Sequence, residues 1–285
     1  MISVEPKDMP VAKLHSYLLG AIAPRPIAFA STVDVDGNPN LSPFSFFNVF
    51  SANPPILIFS PARRVRNNTT KHTLENVLAT KEVVINIVNY DIVQQMSLSS
   101  TEYGAGVDEF IKSGLTKVKS DLIKPFRVKE SPVQLECKVT EVIALGDGGG
   151  AGNLVICEVV KLHIDKTILD ENGTIDQEKI DLVARMGGSY YTRANQGFFE
   201  IPKPLSSLGI GVDALPEVIR NSTILSGNDL GLLANIAQIP SKDSVKVFIK
   251  NNSWLNALSQ EDKHLEAHDF LTNNELEDAW KILLS

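Results

Sequence analysis

Cysteine is scarce: two thiols, Cys137 and Cys157, in 285 residues. Each lies in an apolar, β-branched run and reads as a buried core thiol. Two cysteines make neither a disulfide framework nor a Cys-x-x-Cys metal pair. No apolar run approaches the roughly 18 residues that a membrane helix needs. The first residues, Met1 to Asp8, lack the basic-then-apolar order of a secretory leader, so a cytoplasmic location is expected. There is no Gly-x-Ser-x-Gly elbow and no Walker loop. Five scattered histidines define no catalytic triad. Positive charge is in deficit: 27 basic against 34 acidic side chains leave a net charge of −7. Phosphate contacts supply most nucleic-acid affinity, so a nucleic-acid partner is not expected.

What is present is globular. Hydrophobic residues make up 43% of the chain and charged residues 21%, enough for a sizeable core. The length suggests one main domain with an appended module. Composition shifts at Pro202-Lys203-Pro204, which divides the chain into residues 1–204 and 205–285. The second part carries six basic and eleven acidic side chains. Its segments 213–238 and 257–284 read as helical, with a short strand at Ser244–Ile249. His264 and His268, one helical turn apart, read as part of a solvated acidic helix and not as a metal site.

The first part is richer in strand signals. Residues 11–19 read as a helix stopped by Gly20. Ile27–Val35 is β-rich, and Asp36-Gly37 is a hairpin turn. Strands are expected at about Asn40–Phe50, Ile56–Phe59, Glu82–Val88, Val133–Leu145 and Leu154–Ile164. Helices are expected at Thr70–Thr80 and twice within 91–113. There is no strand–helix alternation, so an antiparallel barrel or sandwich with peripheral helices is predicted. The loop Gly146–Gly152 holds five glycines in seven residues. It leads into a strand, which makes it a hairpin loop and not a dinucleotide fingerprint.

Two segments point to a ligand. Residues 37–74 contain no Asp or Glu but do contain Arg63, Arg64, Arg66 and Lys71. Arg63–Thr73 mixes these cations with threonines and enters a helix, an arrangement that suits a phosphate dianion. Asn40–Asn48 mixes small hydroxyls, aromatics and Pro43. Proline inside a strand implies an edge or a bulge, where free backbone groups can meet a flat heteroaromatic ring.

Taken in order, these segments resemble the flavin reductase-like family of FMN-binding split-barrel proteins. The elements are Pro24-Arg25-Pro26-Ile27-Ala28-Phe29-Ala30-Ser31-Thr32, Asp36 to Asn48, Pro54-Pro55, Lys71-His72-Thr73-Leu74-Glu75-Asn76, and Arg185-Met186-Gly187-Gly188-Ser189-Tyr190-Tyr191. The resemblance covers roughly residues 12–200. It implies a mainly β fold with peripheral helices, a six-stranded Greek-key split barrel, followed by a mostly helical acidic extension. It also implies a homodimer with one FMN per subunit near the interface. Ser31, Thr32, Ser42, Pro43, Phe44, Ser45 and Asn48 would flank the ring. Arg64, Arg66, Lys71, Thr73 and also Arg25 would hold the phosphate end. No catalytic side chain and no metal ligand is implied. The family's usual Lys-Asp-Thr is Lys71-His72-Thr73 here, and its frequent Gly-Asp-His is Gly146-Asp147-Gly148.

The implied activity is hydride transfer from NADH or NADPH through FMN to free flavin or another acceptor. A non-catalytic FMN carrier or regulatory protein is the alternative. The apolar side chains of 261–285, among them Phe270 and Trp280, suggest a stripe that docks within the dimer.

Overall fold

The computed structural model describes residues 1–104, 106–201 and 208–285. Packing divides the chain into two units, Met1–Phe198 and Phe199–Ser285. The boundary expected at 204/205 lies outside the described residues.

The first unit opens with helix α1 (Val11–Ala21). Strands β1 (Ala28–Val33), β2 (Pro39–Phe44), β3 (Phe47–Ala52) and β4 (Pro55–Phe59) follow, then helix α2 (His72–Thr80) and strand β5 (Glu82–Ile87). Helices α3 (Val93–Leu98) and α4 (Glu109–Ser113) precede a small ribbon, β6 (Lys117–Val118) with β7 (Arg127–Val128). Two long strands, β8 (Val133–Ala144) and β9 (Asn153–Ile164), lead to helix α5 (Gln177–Ile180) and a hairpin, β10 (Val183–Arg185) and β11 (Tyr191–Arg193). Helix α1 runs two residues past the expected stop, through Gly20.

One antiparallel sheet holds seven strands in the order β2-β1-β5-β8-β9-β4-β3. The segment expected as a single strand over 40–50 is two strands, which raises the count above six. Its two halves, β2 and β3, form opposite edges of the sheet. Only Ser45 and Phe46 join them in the chain. A two-residue joint spans at most about 10 Å, so the sheet must curl until its first and last strands meet. The result is a barrel that is split between β2 and β3, the split-barrel fold.

The turn from β1 to β2 is built by Asp34. Its carboxylate accepts from the amides of Asp36 (2.9 Å) and Asn38 (2.8 Å), while Gly37 takes a φ of +88°. Strand β1 is buried along its whole length because both faces are covered. Ala28 and Ala30 face the barrel interior with Phe44, Phe59, Ile85 and both cysteines. Ile27 and Phe29 pack under α3 and α4 with Leu41, Met96 and Phe110. Burying each such large apolar side chain contributes about 1.5–3 kcal/mol.

The free edge of β2 is capped by α4: the Glu109 carboxylate accepts from the Leu41 amide at 3.1 Å. Burial pushes the Glu109 carboxyl above the usual range. Because the Leu41 amide points away from β1, the amide position of Pro43, two residues on in the same strand, faces outward as well. Pro43 therefore sits where its missing N–H breaks no ladder bond. Elsewhere, Asp121, Glu136 and His163 come together. The fully buried Glu136 is bonded by the amides of Asp121 (2.8 Å) and Leu122 (2.7 Å) and by His163 Nε2 (2.7 Å). That cluster ties a loop to the sheet.

The second unit is helical: α6 (Glu217–Arg220), α7 (Gly227–Ala234), α8 (Lys242–Asn251), α9 (Gln260–Thr272) and α10 (Leu276–Leu283). The strand expected at Ser244–Ile249 is the middle of α8. Ser241 caps that helix by accepting from the Ser244 amide, and Val245, Phe248 and Ile249 turn inward at helical spacing. Ser226 with Asp229 and Ser259 with Asp262 form two capping boxes. The apolar stripe expected to dock within the dimer is mostly covered inside this unit instead: Trp280 and Leu271 share one core with Ile219, Leu233 and Leu255, while Leu265 is exposed. His264, expected on a solvated face, is buried, with Ser222 on Nδ1 (2.7 Å) and Gln260 on Nε2 (2.9 Å). His268 Nδ1 meets Asp229 at 3.0 Å.

Candidate functional site

A cleft of about 310 Å³ opens at the split of the barrel. Its walls come from three places. The β2–β3 joint supplies Pro43, Phe44, Ser45 and Phe46; the entry to α2 supplies Lys71; and the β10–β11 hairpin supplies Arg185 and Tyr191. His15, Arg25, Ile27, Ser60, Met96 and Ser100 complete much of the rest. Among the described residues no carboxylate lines it.

The sequence-predicted residues divide into three groups. Arg25, Pro43, Phe44, Ser45 and Lys71 line the cleft. Thr32 and Thr73 are absent from its lining and sit in a buried network: Asn40 Nδ2 donates to Thr73 Oγ1 (2.8 Å), and Asn76 Nδ2 donates to Thr32 Oγ1 (3.0 Å). This network anchors the first turn of α2 to the β1–β2 hairpin. Ser31 is fully buried, and its hydroxyl has no hydrogen-bond partner among the described residues. Arg64, whose charge acts on Lys71, and the exposed Arg66 are not in its lining, Ser42 is half-buried on β2, and Asn48 is exposed on β3.

Lys71 stands just before α2 and offers no side-chain cap to that helix. Its ammonium lies 5.0 Å from the centre of the Phe44 ring. Among the described residues it makes no hydrogen bond and no ion pair. Burial, and then the Arg64 charge, hold its pKa below the ordinary lysine value. The Arg63–Thr73 segment is free of acids in sequence but not in space. Glu102, beyond α3, pairs with Arg64 (3.3 Å) and Arg66 (2.8 Å). Glu75 accepts from the Thr70 hydroxyl.

The glycine loop packs on this basic segment. The Gly150 amide donates to the Arg63 carbonyl (3.0 Å), the Arg63 amide donates to the Ala151 carbonyl (2.8 Å), and Asn68 Nδ2 donates to the Asp147 carbonyl at 2.9 Å. A Cβ at Gly149 would come within 3.0 Å of the Val65 carbonyl oxygen, so glycine is required there for close backbone approach.

Arg25 is a clamp. Its guanidinium donates to the carbonyls of Leu19 (2.6 Å), Ile22 (2.5 Å) and Met186 (2.9 Å), fastening the C-terminus of α1 to the β10–β11 hairpin. Arg185 and Tyr191 are the main site residues that sequence reasoning left without a role. The signal was legible: Gly187-Gly188 makes a tight hairpin, which sets Arg185 directly opposite Tyr191. Glu102 and His15 carry no such signal.

This architecture, a curled antiparallel sheet with a cationic cleft at its split, defines the class of split-barrel, flavin-handling oxidoreductases. Residues 20–184 match the model of the flavin reductase like domain, and the chain belongs to that family. An uncharacterized protein of Aquifex aeolicus is 39% identical over 181 residues, covering 64% of this chain and 90% of the relative. Another, from Halalkalibacterium halodurans, is 33% identical over 199 residues, covering 69% and 94%. Among solved structures, nitrilotriacetate monooxygenase component B from Bacillus cereus is similar at a TM-score of 0.66 and 28% identity, covering 70% of this chain and 98% of that one. A split-barrel protein from Shewanella frigidimarina is similar at 0.60 and 26%, covering 71% and 100%. The family match ends before the second unit. Among the described residues no helix is long and apolar enough to cross a membrane.

Proposed function

We propose that the chain is an FMN-dependent oxidoreductase that draws hydride from NADH or NADPH and passes it to free flavin or another small acceptor. The observation that carries this reading is Lys71: an ammonium without an acceptor among the described residues, in a cleft whose lining holds no carboxylate, at a start of α2 that no side chain caps. Flavin bound there supplies the two-electron chemistry, so the chain needs no acid or base of its own. The protein's part is to hold and orient. Pro43 to Phe46 offer outward backbone groups to the ring edge. Lys71, the first amides of α2 and Arg64 meet the phosphate, with Arg64 exchanging Glu102 for it. Ile27 and Met96 keep water from one side of the cleft.

Charge-assisted bonds contribute about 1.5–3 kcal/mol each, so FMN binds at least about tenfold more tightly than riboflavin. Calorimetric titration of both checks this, and equal affinities overturn the phosphate assignment. With FMN bound, NADH or NADPH is oxidised in steady state. Tight FMN without turnover would replace the enzyme reading by that of a carrier.

A homodimer is part of the same proposal. Strand β3 is a sheet edge that bares Val49 and Phe50, with the exposed Phe46 just before it, and α1 buries none of its residues while exposing Val11, Tyr17 and Leu18. An apolar edge of this kind is unstable alone in water. Light scattering should give twice the 31.1 kDa chain mass, and Phe50→Glu should halve it. A monomer that retains FMN tightly refutes the dimer.

A further inference from the structure

One flavin phosphate answers one cationic pole of the cleft, and there are two. Lys71, with Arg64 acting on it from outside the lining, forms the first. The second is formed by Arg25 and Arg185, locked together by paired backbone bonds of 2.9 and 2.8 Å. Neither arginine has a carboxylate partner among the described residues. Arg25 is buried, and its charge is partly offset by the α1 carbonyls it clamps. Its neighbour depresses its pKa further, after burial. Arg185 has only neutral acceptors, the Gly188 carbonyl (2.9 Å) and the Tyr191 hydroxyl. Its guanidinium lies 4.7 Å from the centre of the Tyr191 ring, which holds it in place. Since the Tyr191 oxygen accepts from Arg185, its own O–H is left to donate into the cleft.

We propose that Arg185 and the Tyr191 hydroxyl form a second anion subsite, which takes the carboxylate or phosphate of the small molecule that exchanges hydride with the flavin. This rests on the flavin reading above. A fixed guanidinium beside a hydroxyl donor suits a planar or tetrahedral oxyanion. The charge of the neighbouring Arg25, only partly offset by the carbonyls it clamps, adds to the positive field there.

The test titrates the FMN-loaded protein with benzoate, phenyl phosphate and uncharged benzamide, read by the absorption spectrum of the bound flavin and by calorimetry. The anions should bind about tenfold more tightly than benzamide. In Arg185→Gln that preference should fall to about twofold or less, while FMN affinity stays within about threefold. Tyr191→Phe, which keeps the charge and the hairpin, should lose about threefold of the preference and serves if Arg185→Gln does not fold. A benzoate that competes with NADH assigns the anion to the hydride donor; one that competes with the acceptor assigns it there. Competition with neither overturns the subsite. So do equal affinities for benzoate and benzamide, a preference that survives Arg185→Gln, or one that vanishes in Lys71→Met instead. If the protein binds no FMN, the flavin reading fails on its own. The calorimetric comparison on the flavin-free protein then still decides whether Arg185 selects anions.

Discussion

Lys71→Met lowers FMN affinity about 10- to 100-fold and leaves the flavin-free protein as stable as before or more so. Lys71 is held charged against its surroundings: burial first, and the Arg64 guanidinium second, depress its pKa. The unfolded chain has no such penalty and binds a proton up to a pH of about 10.4. Between the depressed folded value and the unfolded one, the unfolded state holds more protons, so stability rises with pH across that window. As pH falls through it, that stability is lost. Methionine keeps the apolar contact with Phe44 and removes the charge, which flattens the dependence. FMN affinity runs the other way. A phosphate dianion restores the ammonium, so binding weakens as pH climbs through the depressed value. Fluorescence titration across pH 7–10 (roughly the range below the free lysine value), with urea melts of both flavin-free proteins, reads both effects. A variant that binds FMN normally, or one that unfolds, sinks the assignment.

Trp280→Ala costs the second unit about 3–5 kcal/mol. Trp280 is almost fully buried among Leu233, Leu271 and Ile282, and its indole N–H donates to the Leu233 carbonyl at 3.1 Å. Truncation leaves a cavity and an unpaired carbonyl, which adds about 1–3 kcal/mol. A small domain holds about 5–15 kcal/mol in total, so residues 199–285 lose most of their stability. The clusters that hold the barrel contain no residue of this unit. FMN binding by the barrel is therefore expected to survive. Limited proteolysis should cut within 199–285 while the N-terminal fragment keeps its flavin. Equal resistance of variant and wild type, or loss of flavin, contradicts this.

Much of the barrel was legible along the chain. The Asp36-Gly37 turn, the apolar runs of β8 and β9, and the proline at 43 each act within a few residues of themselves. Pro43 announced an edge because it cannot donate to a ladder. The segment Ser244–Ile249 misled because Val245, Val247 and Ile249 alternate as in a strand. The helix wins through the Ser241 cap and through Phe248, which joins Val245 and Ile249 in facing the core at the same time. The solvated reading of His264 failed for a related reason: charge counts along a helix do not say which face the core takes.

By itself the sequence determined most of the long strands of the barrel, the Asp36-Gly37 turn between the first two, and that one stretch of 38 residues, 37–74, carries cations without acids. Only the tertiary structure decided that β2 and β3 become opposite edges of one curled sheet, so that their two-residue joint lies at a split and not in a strand. It also decided which charges meet: Glu102 comes to Arg64 and Arg66, and Arg185 comes to Arg25. The physical reason is that curl and charge pairing are set by strand registers between residues far apart in the chain, such as Arg25 with Arg185, whereas turns, caps and periodicity are settled by neighbours.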